Sequence, residues 1–284
     1  MPDLGPTPRT WFITGASSGI GRCCAEAALA AGDRVVATVR RHQDGAPLVA
    51  LSPDRVRIAV ADVTEPAQVR RAVATALEAF DRVDVLVNNA GYGLIGGVEE
   101  VTDAQLRRQF AVNVFGLVDV TRAVLPAMRR QGGGHVLMIS SVSGQSAAPG
   151  LAYYAASKHA VEGFSESLAR EVRHLGIRVT IVEPGLFRTD WAGRSLDQAA
   201  ERMGVYQESA GAVRDRLVAA DGNQAGDPAR LAAALVRVVA DDDPPLRLPM
   251  GRDAVEGIRR HMARQLEELD RWEAVAVATA FPDA

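Results

Sequence analysis

Apolar stretches rich in β-branched residues recur along the chain and alternate with segments of helical period. We predict strands at 10–14, 34–39, 56–61, 83–89, 134–140 and 178–184, and helices at 20–31, 66–80, 104–130 and 154–175. Near-continuous apolar strands separated by helix-length crossovers are typical of a parallel sheet covered on both faces. The sequence therefore predicts an α/β fold, a single doubly wound domain over residues 9–284 with a parallel sheet of about seven strands flanked by helices.

The segments outside this alternation have their own signatures. Thr64, two residues before Pro66, is an N-cap candidate for the second helix. The stretch from about 186 to 227 is rich in Ala, Gly, Arg and acidic residues without a predicted strand, which favours a long, partly helical loop that covers a binding site. Residues 252–275 predict a C-terminal helix, and residues 1–8, with three prolines, are expected to be flexible.

The bulk composition argues against several classes of protein. A formal net charge of −3, with acids and bases interspersed, gives no basic stripe for nucleic acid. Cys23 and Cys24 are adjacent and the five histidines are scattered, so neither a disulfide framework nor a metal site is indicated. No apolar run approaches the roughly 18–20 residues of a membrane span, and the N-terminus has no signal-peptide core. We expect a cytoplasmic protein that binds neither nucleic acid nor membranes.

A glycine-rich stretch, TGASSGIGR, follows the first predicted strand and leads into the first helix. Gly15, Gly19 and Gly21 would let the backbone turn tightly and approach a pyrophosphate, whose charge the helix N-terminus would receive. Three glycines could also form an ordinary strand-to-helix turn. Their place after the first strand of a parallel sheet favours a nucleotide site.

The segment YYAASK opens the last of these predicted helices. Tyr154 and Lys158 are four residues apart and so lie on one helix face, whereas Tyr153 has Ser157 in the corresponding place. A nearby ammonium favours phenolate and lowers the pKa of a phenol, which would make Tyr154 an acid/base catalyst and Lys158 its tuner. For an isolated pair, a packed aromatic beside a snorkelling lysine is the simpler interpretation.

Several motifs occur together and in a fixed order: TGASSGIG at 14–21, Asp62 after the third strand, NNAG at 88–91, Asn113, a serine pair at 140–141, YAASK at 154–158 and PG at 184–185. In this set the chain resembles the classical short-chain dehydrogenase/reductase family, over about residues 9–190. The resemblance implies a Rossmann-like fold, a bound nicotinamide dinucleotide, and hydride transfer between that cofactor and an alcohol or carbonyl. Within the family the chain is most similar to members that act on steroids, retinoids or other lipophilic carbonyls.

The resemblance also implies roles for individual residues. Ser141 would polarise the substrate carbonyl beside the acid/base Tyr154. Lys158 would also bind the nicotinamide ribose, and Asn113 would hold a water that completes a proton relay. The predicted cofactor-binding set comprises Gly15, Ser17, Ser18, Gly19, Ile20, Gly21, Arg40, Arg41, Asp62, Val63, Asn89, Ala90, Gly91, Tyr154, Lys158, Pro184, Gly185 and Thr189. The predicted substrate contacts are Ser141, Tyr154, Leu186, Phe187 and Trp191.

The end of the second strand bears on which dinucleotide is bound. An acidic residue there hydrogen-bonds the ribose of NAD, whereas an arginine accommodates the 2′-phosphate of NADP. Val39 stands at the acid's position and is followed by Arg40 and Arg41, which favours NADP(H) and leaves NAD(H) possible. Both arginines could equally be solvated charges at a strand end.

The substrate and the partners are less constrained. Apolar residues in the loop favour a lipophilic ketone, aldehyde or alcohol. In the family, helices after the fourth and fifth strands pair in homodimers and homotetramers, although here their apolar faces could equally be core. Two other functions stay open: an epimerase or dehydratase on the same fold, and a dinucleotide-sensing regulatory protein without turnover. The latter has no need of Asn113, Ser141, Tyr154 and Lys158 together.

Overall fold

The computed structural model describes residues 8–281. Its strands are β1 (Thr10–Ile13), β2 (Arg34–Val39), β3 (Val56–Val60), β4 (Val85–Asn88), β5 (Gly93–Ile95), β6 (Gly134–Ile139), β7 (Ile177–Pro184), β8 (Leu196–Gln198) and β9 (Arg247–Met250). Its α-helices are α1 (Gly19–Ala30), α2 (Ala46–Leu51), α3 (Pro66–Phe80), α4 (Asp103–Phe110), α5 (Leu117–Arg130), α6 (Ala152–Val172), α7 (Ala212–Ala219), α8 (Pro228–Ala240) and α9 (Arg252–Val277). Of the predicted flexible segment, residues 1–7 lie outside the described residues.

Seven strands form one parallel sheet in the order β3-β2-β1-β4-β6-β7-β9. This confirms the predicted doubly wound fold. Strands β2 and β3 lie on one side of β1, and β4, β6 and β7 lie on the other, so the winding reverses between β1 and β4. Open α/β sheets bind ligands in the crevice at the carboxyl ends of the strands at such a point.

The two faces of the sheet bury separate sets of side chains, because successive residues of a strand point to opposite faces. Phe12 and Val36 pack on the face covered by α3, α5 and α6. Trp11 and Ile13 pack on the face covered by α1 and α8. All four are at most 1% exposed, and burial of such a side chain stabilises the fold by about 1.5–3 kcal/mol. This core holds rigid the strand ends that border the crevice.

The predicted helix at 104–130 is continuous but not uniform. After α4, a π-helical turn at Ala111–Gly116 precedes α5. By length and composition this helix would suffice to cross a membrane, with a mean hydropathy of 1.4 over its most apolar window. That finding differs from the expectation that no stretch reaches this length. Val120 and Val124 are nonetheless buried against the sheet, and the core helix of a globular protein passes the same test.

The N-cap prediction for Thr64 is wrong. The N-cap residue of α3 is Glu65, whose side chain makes no capping bond. The Thr64 hydroxyl instead donates to Asp62 Oδ1 at 2.7 Å. Pro66, at the first helical position, has no N–H to satisfy and fixes φ at a helical value, so it starts the helix without a side-chain cap.

The segment 186–227 contains a strand, contrary to the sequence-based expectation. Strand β8 pairs in parallel with β5, with Leu94 opposite Asp197, and the two form a small second sheet. Helix α7 makes the segment partly helical, as predicted. A strand of three residues is too short to show alternation in the sequence. The pairing anchors this segment over the crevice side of the main sheet.

Candidate active site

A cleft of about 1080 Å³ opens at the carboxyl ends of the central strands. Most predicted site residues line it, namely Gly15, Ser17, Ser18, Gly19, Ile20, Arg40, Asp62, Val63, Asn89, Ala90, Gly91, Ser141, Tyr154, Lys158, Pro184, Gly185, Leu186, Phe187, Thr189 and Trp191. Gly21, Arg41 and Asn113 lie outside this lining. Among residues 8–281, no group of three or more His, Cys, Asp or Glu side chains is arranged to hold a metal ion.

The glycine loop forms a backbone cradle at one end of the cleft. Gly15 and Gly19 have φ angles of 63° and 56°, in the left-handed region that favours glycine. Ser18 is the N-cap of α1, and its side chain makes no capping bond. The N–H groups in the first turn of α1 therefore remain available to an anion. This cradle fits the pyrophosphate of a dinucleotide.

Gly21 serves packing behind the cradle. A Cβ on Gly21 would stand 2.4 Å from Asn89 Nδ2 and 2.6 Å from the carbonyl oxygen of Gly15. The Asn89 amide occupies this space because it donates to the carbonyls of Thr14, at 2.8 Å, and Gly15, at 3.1 Å. Glycine at position 21 is thus required by the NNAG segment and not by ligand contact.

Thr14 is a site residue that the sequence reasoning missed. Its hydroxyl oxygen accepts hydrogen bonds from the backbone N–H groups of Asn89, at 2.9 Å, and Ala90, at 3.0 Å. These bonds join the turn after β1 to the turn after β4, across the point where the winding reverses. A single threonine in a glycine-rich loop carries no signal for a contact with residues about 75 positions away.

Another part of the cleft holds Asp62, Val63 and Arg40 of the predicted cofactor-binding set. Asp62 and Val63 follow β3, and Asp62 Oδ1 accepts from the Thr64 N–H at 2.9 Å, which fixes the carboxylate. Arg40 follows β2 and lines the cleft. Arg41 instead forms an ion pair with Asp44 at 3.0 Å, with 71% of its side chain exposed. The structure therefore brings one of the two predicted arginines to the cleft.

Tyr154, Lys158 and Ser141 meet on one wall of the cleft. Tyr154 and Lys158 lie one turn apart on α6, with Lys158 Nζ 5.8 Å from the centre of the Tyr154 ring. Both side chains are buried, and Nζ donates to the carbonyl of Ile139, the last residue of β6, at 2.9 Å. Ser141 follows β6, and its Oγ accepts from the Ser143 N–H at 3.1 Å. The end of β6 thus positions both the hydroxyl and the ammonium beside the phenol.

The predicted lowering of the Tyr154 pKa is not seen in the protein alone. Burial raises the pKa of Tyr154 to about 12, and the neighbouring Ser141 hydroxyl only partly offsets this shift. Burial also lowers the pKa of Lys158 to about 8, against the charge of Glu162. Removal from water penalises every charged form, so burial raises the pKa of a phenol and lowers the pKa of an ammonium. The phenol is therefore protonated at neutral pH.

Asn113 lies in the π-helical turn, behind the cleft wall. Its Oδ1 accepts from the Tyr92 N–H at 3.1 Å, and its Nδ2 donates to the Tyr92 carbonyl at 3.0 Å. Nδ2 also lies 3.3 Å from Ser157 Oγ. The amide thus connects the segment after β4 to α6, at the residue before Lys158. Single π turns inside α-helices occur frequently at functional sites.

A turn after β7 closes the other side of the cleft. The Leu186 N–H donates to Asp253 Oδ2 at 2.7 Å, and a Cβ on Gly185 would stand 2.2 Å from that same oxygen. Asp253 lies in the first turn of α9. The sequence reasoning missed this aspartate, because nothing in the sequence links it to a turn 67 positions earlier.

Apolar side chains surround the end of the cleft nearest Tyr154. The Trp191 ring packs against the Tyr154 ring, with centroids 5.4 Å apart and planes tilted by 55°. Leu151 and Leu196 complete a small apolar cluster with Tyr154. The predicted substrate contacts Leu186 and Phe187 also line the cleft. This end of the cleft therefore offers an apolar surface beside the Tyr154 hydroxyl.

A buried acidic cluster lies next to the wall of the cleft that carries Tyr154 and Lys158. Glu162, one turn beyond Lys158 on α6, and Glu183, just before Pro184, both receive hydrogen bonds from Gln145 Nε2, at 3.2 and 2.9 Å. Arg247 Nε lies 3.1 Å from Glu162 and 3.9 Å from Glu183. Burial, with the charge of Glu162 adding to it, raises the pKa of Glu183 to about 7. One guanidinium therefore faces two carboxyl groups whose pKa values burial raises.

Replacing Glu183 should stabilise the protein at alkaline pH. A raised folded-state pKa means that folding takes up a proton between the ordinary value of 4.5 and about 7, so the stability that this group contributes is complete below pH 4.5 and is lost as pH rises through 7. Glu183→Gln removes this loss, and we expect its free energy of unfolding at pH 8 to exceed that of the parent by on the order of 2 kcal/mol. At pH 4 the two proteins should be nearly equal.

Urea unfolding at both pH values measures this difference. The matched control is Glu166→Gln, since Arg247 lowers the pKa of Glu166, and its replacement should slightly weaken the protein at pH 8. A Glu183→Gln variant that is less stable than the parent at pH 8, and equally so at pH 4, would contradict the prediction.

Comparison with known proteins agrees with the motifs. The short chain dehydrogenase family model matches residues 9–200. Oxidoreductase BOA17 of Botryotinia fuckeliana is 40% identical over 96% of this chain and 99% of its own length. The 3-ketodihydrosphingosine reductase of Bacteroides thetaiotaomicron is 36% identical over 86% of this chain and 88% of its own length.

A solved structure extends the similarity to the fold. The crystal structure of a short-chain dehydrogenase from Streptomyces avermitilis superposes with a TM-score of 0.91 and 44% identity, covering 97% of this chain and all of that one. The superposed region includes the seven-stranded, Rossmann-like sheet of this chain described above. The chain belongs to the family of short-chain dehydrogenases/reductases.

Proposed function

We propose that the protein is an NADP(H)-dependent oxidoreductase that interconverts a lipophilic ketone or aldehyde and the corresponding alcohol. One observation carries the proposal: a buried phenol, a hydroxyl and a buried ammonium, from Tyr154, Ser141 and Lys158, share one wall of a cleft whose other end is a glycine cradle. A protein that only senses a dinucleotide gains nothing from the buried ammonium, whose burial costs free energy.

Different residues of the cleft supply the proton and the hydrogen bond that the reaction needs. A bound nicotinamide dinucleotide supplies or accepts the hydride. Tyr154, protonated at neutral pH, donates its hydroxyl proton to the carbonyl oxygen as that oxygen becomes an alkoxide. Ser141 donates a hydrogen bond to the same oxygen and stabilises the developing charge more than the ground state. A high phenol pKa in the protein alone suits carbonyl reduction, in which tyrosine acts as the acid.

Lys158 and Asn113 support the phenol. With a pKa of about 8, the lysine is largely cationic at neutral pH, and its charge stabilises the phenolate left after proton transfer. Its bond to the Ile139 carbonyl holds the ammonium between α6 and the end of β6. Asn113, held by Tyr92, fixes the backbone beside α6, and we assign it the support of a water that returns the proton.

Arg40 favours NADP(H) over NAD(H). It lines the cleft directly after Val39, where no carboxylate would repel a 2′-phosphate. Ser17 lines the cleft as well and adds a hydroxyl donor. Arg41 is engaged by Asp44 and contributes less. The planar guanidinium of Arg40 can hold a phosphate through two parallel hydrogen bonds.

The apolar end of the cleft supports a lipophilic substrate. Trp191, stacked on Tyr154, and Leu151 would contact the part of the substrate beside its carbonyl. The relative from Bacteroides thetaiotaomicron is by name a 3-ketodihydrosphingosine reductase. The proposed setting is the cytoplasm, where Cys23 and Cys24 stay as the free thiols they are in the structure.

A screen of lipophilic ketones with NADPH, followed by cofactor absorbance, tests the proposal. Consumption of NADPH with formation of the alcohol supports it. Conversion of substrate without net use of cofactor would favour the epimerase or dehydratase alternative. Tight NADPH binding without turnover of any carbonyl compound would favour a dinucleotide sensor.

A further inference from the structure

Helix α9 extends from the body of the protein into solvent. Its first turns are anchored, since Ala254 and Ile258 are buried. Every residue from 262 to 281 is exposed. The exposed helical part, 262–277, is about 24 Å long. An isolated helix of this length is marginal in water, so an arm of this kind calls for a second surface that covers it.

One face of the exposed part of α9 is mostly apolar, with Gln265 and Glu273 as its polar members. Met262, Leu266, Leu269 and Trp272 are 45%, 60%, 61% and 57% exposed. At about 100° of rotation per residue, these four side chains fall on one side of the helix. They continue the line of the buried Ile258. We call these four residues the α9 stripe.

Each flank of the α9 stripe carries one basic residue followed by one acidic residue. Arg259 and Asp270, eleven residues apart, differ by about 20° around the axis and lie on one flank of the stripe. His261 and Glu268 also differ by about 20° and lie on the other flank. On both flanks the basic group comes first in the chain and the acidic group second. Both pairs have the same midpoint, between 264 and 265.

This arrangement is not explained by the stability of a lone helix. The helix dipole favours acids near the N-terminus and bases near the C-terminus, and the last turn of α9 has no base. Within residues 8–281, the ion pair that α9 makes is the one between Arg260 and Glu256, at 3.8 Å. Arg259, Asp270 and Glu268 have no ion-pair partner in that part of the chain.

We propose that two copies of the chain associate through their α9 stripes, antiparallel, about a two-fold axis that passes between the two helices at the level of residues 264 and 265. In an antiparallel pair each flank faces the same flank of the partner helix. Arg259 then lies opposite Asp270 of the partner subunit, and His261 lies opposite the partner's Glu268. Met262 packs against the partner's Leu266. The midpoint of these two positions is close to the midpoint of the two charged pairs. The interface is isologous, so every contact occurs twice.

Other arrangements fit the charges less well. In a parallel pair each flank faces the opposite flank, which sets Arg259 against a histidine and Asp270 against a glutamate. On an anionic membrane surface, Glu268 and Asp270 would border the inserted face and be repelled. A second copy of the chain satisfies both the stripe and the flanks. This association is independent of the catalytic assignment.

Sedimentation velocity on the purified full-length chain tests the proposal. Leu266→Asp introduces one negative charge per chain, and so two per dimer, at an apolar contact repeated by symmetry, and it should halve the mass of the assembly seen for the parent. The matched control is Val275→Asp, because Val275 is equally exposed, at 60%, but lies on the other side of the helix. The control should keep the parental mass. A parent whose mass is that of one chain at all concentrations would overturn the proposal.

Charge exchange identifies the partner as a second copy in antiparallel orientation. Arg259→Glu alone and Asp270→Arg alone each create two like-charge contacts, and each should raise the dissociation constant by about tenfold. An equimolar mixture of the two variants restores both attractive contacts in the heterodimer, and its dissociation constant should return to near the parental value. Failure of the mixture to recover, or an undiminished affinity in the single variants, would overturn the proposal. Since all these positions are exposed, near-ultraviolet circular dichroism should show the parental fold throughout.

Discussion

Tyr154→Phe is expected to lower kcat for ketone reduction by about 10²–10⁴-fold, because it removes the proton donor while keeping the ring. The ring packs against Trp191, and that contact does not require the hydroxyl. The dissociation constant for NADPH should stay within about twofold of the parental value, since the glycine cradle lies at the other end of the cleft. Single-turnover kinetics and fluorescence titration with NADPH measure the two quantities.

The neighbouring residue provides a matched control. Tyr153 donates its hydroxyl to the Val98 carbonyl at 3.0 Å and does not line the cleft. Tyr153→Phe should therefore leave kcat unchanged. Equal losses in the two variants would indicate damage to α6 and would remove the catalytic assignment. Near-parental turnover in Tyr154→Phe would have the same consequence.

Arg40→Ala is expected to lower kcat/KM for NADPH by about 10–100-fold, through loss of charge-assisted hydrogen bonds to the 2′-phosphate. The kcat/KM for NADH should change little, because NADH lacks the 2′-phosphate. Arg41→Ala is the matched control, since the Arg41 guanidinium is held by Asp44 outside the cleft lining. It should affect neither cofactor strongly. Steady-state kinetics with both cofactors at saturating ketone measure the preference.

Two results would contradict this cofactor assignment. The parent enzyme could use NADH as efficiently as NADPH, in which case Arg40 is an ordinary solvated charge. Alternatively, the Arg40→Ala variant could retain the parental preference while Arg41→Ala loses it. The second result would mean that Arg41 leaves Asp44 when the cofactor binds.

Most of the sheet, the glycine loop and the Tyr154/Lys158 pair were predictable from the sequence. Strands such as 34–39 are continuous apolar runs, and helix 66–80 has a clear period with proline at its start, so local patterns sufficed. Helix α8 was missed, although Asp227 caps it and Pro228 starts it, because it follows a loop that was interpreted as a binding element. Strand β8 was missed because its partner, β5, lies about 100 residues away in the chain.

The sequence by itself determined the residue types and their order: a glycine loop after the first strand, a tyrosine and a lysine one turn apart, and an arginine after the second strand. Spacing along one helix or one turn sets the relative positions of these residues, so they can be predicted without knowledge of the fold. Only the tertiary structure decided the sign of the Tyr154 pKa shift, the separation of Arg40 from Arg41, and the support given by Thr14 and Asp253. Burial and contacts between distant segments set these properties, and both arise when the chain packs.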